Sequence, residues 1–292
     1  MAKLIFGCGY LGGRVARLWR DQGDEVFVVT RSSERAARFT AEGLWPIVAD
    51  VLDPTSLRNL PAAETVLFAV GYDRTTGAPI HDVFVNGWQA TLDSLNEANL
   101  RRIIYISSTG VYGQTSGDVV DENSPTVPDR EGGKACLAAE RLLAAHRLGS
   151  KGIVLRMAGL YGPGRIPNVA DIRRGEPLSV VEQGFLNLIH IDDAARIVLA
   201  AEASEIAPRT YVVSDGEPVE RRAYYEELAR LLAAPTPRFV TPDVNAPRSA
   251  RGNSSKRINN ARLRAELSVG LRYRSYREGL AAIVASESER PE

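Results

Sequence analysis

The sequence predicts an α/β fold: a doubly wound parallel sheet with a smaller C-terminal substrate lobe. Three observations carry that expectation. An apolar run from Lys3 to Phe6 meets a glycine cluster, Gly7-Cys-Gly9-Tyr-Leu-Gly12-Gly13, and then a segment in which Leu11, Val15, Leu18 and Trp19 recur at helical spacing. Further along, apolar runs alternate with helical-period segments, the signature of parallel strands joined by crossover helices. The runs themselves, such as Glu25-Val-Phe-Val-Val-Thr30, are continuous rather than alternating, as strands buried on both faces must be.

Bulk composition is consistent with this and excludes several classes. The chain has 292 residues, 44% of them hydrophobic, enough for a full core. Thirty-six basic residues balance 36 acidic ones, so there is no basic excess of the kind a nucleic-acid or membrane surface needs. Cys8 and Cys136 are too few for a disulfide framework, and no cluster suggests a metal. No apolar run reaches membrane-spanning length and no leader pattern stands at the start, so the expected compartment is the cytoplasm.

Each element follows in order. Gly7 would make a tight turn, Gly9 would let backbone amides approach a pyrophosphate, and Gly12 would let the helix lie close on the strand, with Tyr10 and Leu11 in the same loop. At the end of the second strand stands Thr30-Arg31-Ser32, where an NAD site usually places an acidic residue for the ribose hydroxyls. Arg31, with Ser32 beside it, can instead grip a 2′-phosphate, so NADP is favoured over NAD. Leu44 to Ala49 gives the third strand, with Asp50 and Val51 placed to flank an adenine. Thr65 to Val70 gives the fourth, with Gly71 allowing close approach. Ile80 to Asn99 reads as a long helix carrying Asn86, and Arg102 to Ser107 as the fifth strand, which leads into Ser107-Ser108-Thr109-Gly110-Val111-Tyr112-Gly113.

Lys134 opens another helix, and Lys151 to Met157 is the sixth strand. Leu186 to Asp193 enters a helix expected to be capped by Asp192 or Asp193. Thr210 to Ser214 is a further strand, followed by a helix from Glu220 to Leu232. Pro235 to Asn253 is rich in proline and arginine and reads as a loop. Two short helices close the chain, one capped by Asn259 or Asn260 and the other from Ser275 to Val284.

These residues together resemble the extended short-chain dehydrogenase/reductases, the NAD-dependent epimerase/dehydratases. Besides the N-terminal glycines, the resemblance rests on Ser107-Ser108-x-x-Val-Tyr-Gly113, Leu155-Arg-x-x-x-Leu-Tyr-Gly-Pro-Gly164, Ile189-His-Ile-Asp-Asp193-Ala-Ala-Arg and Tyr211-Val-Val-Ser-Asp-Gly-Glu-Pro218. It implies a Rossmann domain over residues 1–162 plus about 186–215, and a substrate-binding lobe over about 163–185 plus 216–292. Family members often pair through a four-helix interface, and the helices from Ile80 and Lys134 could supply one to a homodimer.

By the same resemblance Asn86, Ser108 and Lys134 fall on three members of the family's Asn/Ser/Tyr/Lys catalytic set. The tyrosine is missing: four residues before Lys134 stands Arg130, and no Tyr-x-x-x-Lys occurs anywhere in the chain. A family tyrosine works as acid or base because a lysine and the coenzyme lower its pKa from about 10, whereas a guanidinium holds its proton. Tyr112 and Tyr161 are the candidates to replace it. Dehydratase members carry Asp-Glu where this chain has Thr109-Gly110, and sugar-nucleotide epimerases often carry Asn where it has Gly159. Arg130, Arg165, Arg248, Arg251 and Arg257 could hold an anionic substrate, while His190 reads as structural. The expected activity is an NADP-favouring oxidoreductase or epimerase on a small polar substrate, sugars and sugar nucleotides included. The alternative is a coenzyme-binding protein without turnover, with a sensing or regulatory role.

Overall fold

A computed structural model describes residues 1–242 and 254–288. Seven parallel strands form the central sheet in the order β12-β7-β5-β4-β1-β2-β3. They are β1 (Ala2–Phe6), β2 (Glu25–Thr30), β3 (Trp45–Val48), β4 (Thr65–Phe68), β5 (Arg102–Ser108), β7 (Gly152–Met157) and β12 (Arg209–Val213). From β1 the chain winds outward through β2 and β3, then returns to place β4 on the opposite side of β1. That reversal is the switch point at which ligands of doubly wound sheets bind, beyond the carboxyl ends of the strands.

The chain divides into two compact units. One comprises Met1–Val111, Thr126–Arg156 and Ala195–Tyr211; the other comprises Tyr112–Pro125, Met157–Ala194 and the described residues from Val212 onward. This differs from the division read from sequence, because Tyr112 to Pro125, Met157 to Gly162, Leu186 to Ala194 and Val212 to Asp215 fall in the second unit. Strand pairing explains the difference. In the second unit β8 (Gly159–Tyr161) pairs with β11 (Leu188–His190), and β6 (Asp118–Val120) pairs with β15 (Lys256–Ile258), a partner that sequence proximity does not suggest.

The first unit contains α1 (Gly12–Asp21), α2 (Ser33–Ala41), α3 (Gly87–Ser94) and α4 (Glu131–Ala145). Its core stacks aromatic residues from neighbouring strands and one helix: Phe68 lies 4.4 Å from Trp88, and Trp88 lies 5.5 Å from Tyr105, centroid to centroid. The helix expected over Ile80 to Asn99 is shorter and not uniform. Asp82–Asn86 winds as a π-helical turn ahead of α3. The chain turns extended at Leu95, and the Asn96 side chain then accepts the Ala98 N–H, local competition that ends a helix.

The second unit contains α5 (Val169–Arg173), α7 (Arg221–Leu231), α8 (Ala261–Leu267) and α9 (Tyr276–Ser288), with a core that includes Tyr161, Leu188, Tyr224, Leu228, Tyr276 and Leu280. The helix after β11, α6 (Ile191–Ala203), starts before the two aspartates, so neither caps it. Instead the His190 ring Nδ1 accepts the Asp192 N–H at 3.2 Å, which supports a structural role for that histidine. Asp193 turns away to accept the backbone N–H groups of Arg272 and Tyr273. At α8 the Asn259 side chain accepts the Ala261 N–H. Among the described residues no helix is long and apolar enough to cross a membrane.

A buried polar network joins β1, α1, β4 and the end of α6. Lys3, 1% exposed, pairs with Glu202, whose other oxygen accepts the Trp19 Nε1–H at 2.6 Å, while Thr65 Oγ1 donates at 2.8 Å. Asp24 Oδ2 lies 3.9 Å from the Lys3 ammonium, too long for a direct hydrogen bond, so Glu202 is its close partner, and a buried ammonium that loses its close carboxylate is strongly unfavourable. Glu202→Gln should therefore lower the unfolding free energy by about 3–5 kcal/mol, and adding Lys3→Met should recover at least about half of that. Urea denaturation of the single and double variants measures both; equal losses would show that the pair is not what holds these elements together.

Candidate coenzyme cradle and active site

The glycine turn after β1 closes on the neighbouring strand. Gly7 has φ +85°, a conformation that strains any side-chain-bearing residue, and a Cβ there would overlap the Ala69 backbone. A Cβ at Gly12 would overlap the Gly7 carbonyl, so the start of α1 sits directly on the turn. Gly9 is different: nothing lies within 4 Å of where its Cβ would point. Leu11, at the head of α1, provides no side-chain cap. The result is a tight turn, open at Gly9 and leading into an uncapped helix N-terminus, and a pyrophosphate fits such a turn. Gly71, beyond β4, is equally open.

Three guanidinium groups belong to this region. Arg14 donates to the Tyr10 carbonyl at 2.9 Å and stacks over the Tyr10 ring. Arg35, which the sequence reading did not single out, donates to the Cys8 carbonyl at 2.7 Å from the first turn of α2. Ser32 caps that helix, its hydroxyl accepting the Arg35 N–H at 3.2 Å. Arg31 is half exposed, its Nη2 lying 3.6 Å from Asp73 Oδ2. The Cys8 thiol inside the turn is buried, and burial pushes its pKa up to about 11, so it is an inert thiol at neutral pH.

Asp50 and Val51 follow β3. Asp50 Oδ1 accepts the Leu52 N–H, and Val51 packs against the start of α3, where a Cβ on Gly87 would lie 2.8 Å from its Cγ2. Val70 packs on the core below the turn.

The expected catalytic residues Ser108, Lys134 and Asn86 lie in the first unit, at the end of β5 and on the helices beside it. Of the serine pair, Ser107 is structural: its hydroxyl donates to Glu140, itself paired with Arg156 at 2.7 Å in the interior. Ser108 is partly exposed, and its Oγ accepts the Gly110 N–H at 3.0 Å. The start of α4 is pressed against this turn, because a Cβ on Gly133 would overlap the Gly110 carbonyl. Lys134, the next residue, is exposed and bonds Glu131 at 2.8 Å, and that hydrogen bond raises its pKa. Asn86 closes the π-helical turn, donating to Asp82 at 2.9 Å. Arg130, where the resemblance calls for tyrosine, is the extended residue just before α4, and its side chain does not cap the helix.

Neither tyrosine candidate is presented to solvent. Tyr112 is 2% exposed, in the second unit, with its carbonyl accepting from Lys256 Nζ at 2.9 Å. The Tyr161 hydroxyl occupies the space a Cβ on Gly279 would need, and burial drives its pKa upward, which disfavours a role as acid. Gly159 is confined by β11, where a Cβ would come within 3.1 Å of the Asn187 carbonyl. Arg257 donates to the Gly117 carbonyl at 2.8 Å, and Arg248 and Arg251 lie outside the described residues. No group of three or more potential metal ligands occurs among the described residues.

Strand order and turn define a Rossmann-type α/β protein. The profile of the NAD dependent epimerase/dehydratase family matches residues 4–214, and the chain belongs to that family. It is similar to Protein YeeZ of Escherichia coli strain K12, 29% identical over 80% of this chain and 85% of that one. A 3-diazoavenalumate denitrifying reductase of Streptomyces is 28% identical over 96% and 99% of the two chains. A solved structure from Methylobacillus flagellatus, assigned to the same family, is 31% identical with a TM-score of 0.80 over 99% of both chains.

Asp215, in the second unit, was not singled out from sequence either. It is 7% exposed; its Oδ1 accepts the Glu217 N–H, while its Oδ2 has no partner among the described residues. Burial raises its pKa from 3.8 to about 7. A raised folded-state pKa favours the fold with the group protonated. That contribution is complete below the unfolded value and is lost as pH rises through about 7, on the order of 4 kcal/mol. Asp215→Asn should flatten the decline in melting temperature between pH 4 and pH 8. Superimposable profiles for variant and wild type would contradict this.

Proposed function

We propose that this chain is an oxidoreductase dependent on a nicotinamide coenzyme, favouring NADP(H), that acts on a small polar carbonyl or hydroxyl compound, sugars and sugar nucleotides included. The observation that carries the reading is the glycine turn, closed at Gly7 and Gly12 and open at Gly9. The amides of residues 10–12 would hold the pyrophosphate, the Gly9 N–H being donated to the Gly7 carbonyl at 2.8 Å, while Asp50 and Val51 would flank the adenine and Val70 and Gly71 would border the adenosine half. Arg31, Ser32 and Arg35 would surround a 2′-phosphate with two guanidinium groups and a helix N-terminus. Lys134 would hold the nicotinamide ribose.

The coenzyme supplies the hydride; the chain supplies polarity around the reacting oxygen. Ser108 can donate a hydrogen bond to a substrate oxygen. Lys134, its pKa raised by Glu131, stays an ammonium and donates hydrogen bonds while keeping its proton. Arg130 likewise donates hydrogen bonds and keeps its proton. A set dominated by hydrogen-bond donors suits an oxygen that gains negative charge, so carbonyl reduction is the favoured direction, hydride adding to the carbon and solvent supplying the proton that completes the hydroxyl, since neither Lys134 nor Arg130 releases one. The name of the Streptomyces relative, a reductase, agrees with that direction.

Fluorescence titration with NADPH and NADH tests the binding half of the proposal. Arg31→Ala should weaken NADPH about 10- to 100-fold and leave NADH nearly unchanged, since a charge-assisted hydrogen bond contributes about 1.5–3 kcal/mol. Tighter NADH than NADPH binding by the wild type would contradict it. For the chemistry, Ser108→Ala should lower NADPH consumption with a turned-over carbonyl substrate by about 10²–10³ in kcat, the usual loss of one donor at a developing oxyanion. No turnover across aldehydes, ketones and keto-sugars at saturating NADPH would instead favour a binding protein.

A further inference from the structure

Arg31 leaves the sheet at the end of β2, and Asp73 lies five residues past the end of β4. These two strands flank β1 on opposite sides, so the 3.6 Å contact between the side chains spans the carboxyl end of β1, where the glycine turn lies. As a surface ion pair it contributes little to stability, both side chains being about half exposed. Its position is what matters.

Asp73 is not a loose side chain. Its Oδ1 accepts the Thr75 N–H at 3.0 Å and the Thr75 hydroxyl at 2.6 Å, and its carbonyl accepts from the Thr76 hydroxyl at 2.9 Å. Gly77, at φ +70°, closes the turn. With Oδ1 so engaged, Oδ2 faces Arg31. The Thr75 hydrogen bonds also hold the carboxyl below its ordinary pKa, so it is ionised at neutral pH. The end of β2 has no acidic residue to repel a 2′-phosphate, but the fold brings one in from the loop after β4.

We infer that Asp73 is a coenzyme-discriminating residue: it engages Arg31 in the free protein and competes with the 2′-phosphate of NADP(H) for that guanidinium. This rests on the NADP-favouring reading above. NAD(H), which has no 2′-phosphate, does not compete for Arg31. The phosphorylated coenzyme must either displace the carboxylate or share the guanidinium with it, at a cost in affinity in both cases. Arg35, held by the Cys8 carbonyl, is the second cation at the site.

The test is a double-mutant cycle on coenzyme affinity, read by fluorescence titration at low and high salt. Asp73→Asn removes the charge and keeps an oxygen for the Thr75 bonds, so the turn is retained. It should tighten NADPH about three- to tenfold at low salt while leaving NADH within about twofold, as expected for one partly screened charge near a phosphate. The gain should vanish in an Arg31→Ala background. Unchanged NADPH affinity, an equal gain for both coenzymes, or the same gain without Arg31 would overturn the inference while leaving the NADP reading intact. Should the wild type bind both coenzymes alike and Arg31→Ala alter neither, the NADP reading falls and the inference with it.

Discussion

The close approach of backbone to backbone at the end of β1 is the constraint on which the rest of the site depends. Gly7 and Gly12 have no room for a side chain, one against β4 and the other against the turn itself. A methyl group at either position would push α1 off the sheet. The same closure brings the ends of β1 and β4 together and leaves Gly9 as the open point of the turn. Arg31, Arg35 and Asp73 then take their places around that turn because the strands and helix that carry them are fixed relative to it.

Polar groups in the interior divide into those that hold the frame and those exposed at the site. Lys3, Glu202, Trp19 and Thr65 form a network in the interior, and Glu140 with Arg156 and Ser107 forms a second one under the end of β5. Ser108, one residue beyond Ser107, points to a different environment. The alternation of side chains along a strand puts one serine in the core and the next at the mouth. Ser108 Oγ accepts the Gly110 N–H, and the start of α4 packs against that same turn.

Much of this could be read from residue order because the chemistry is local. The glycine turn, the continuous β-branched runs and the amphipathic α1 each depend on neighbours in sequence, and all three are found where the sequence places them. What could not be read depends on contacts between distant segments. Asp73 meets Arg31 from the loop beyond β4, and burial in the second unit leaves one Asp215 oxygen without a partner among the described residues. The helix from Ile80 was overextended because Asn96 looks tolerable in a helix until its side chain is seen holding the Ala98 N–H. The unit boundaries shifted because β8 and β6 take partners 29 and 138 residues away, at Leu188 and Lys256 respectively.

The central claim is that the turn from Gly7 to Gly12 is the seat of a dinucleotide. A crystal structure of the chain grown with NADPH tests it most directly. The account predicts density for the pyrophosphate against the backbone of residues 9–12, with the 2′-phosphate between Arg31 and Arg35. Coenzyme bound elsewhere, or a turn that stays empty at saturating NADPH, would contradict it.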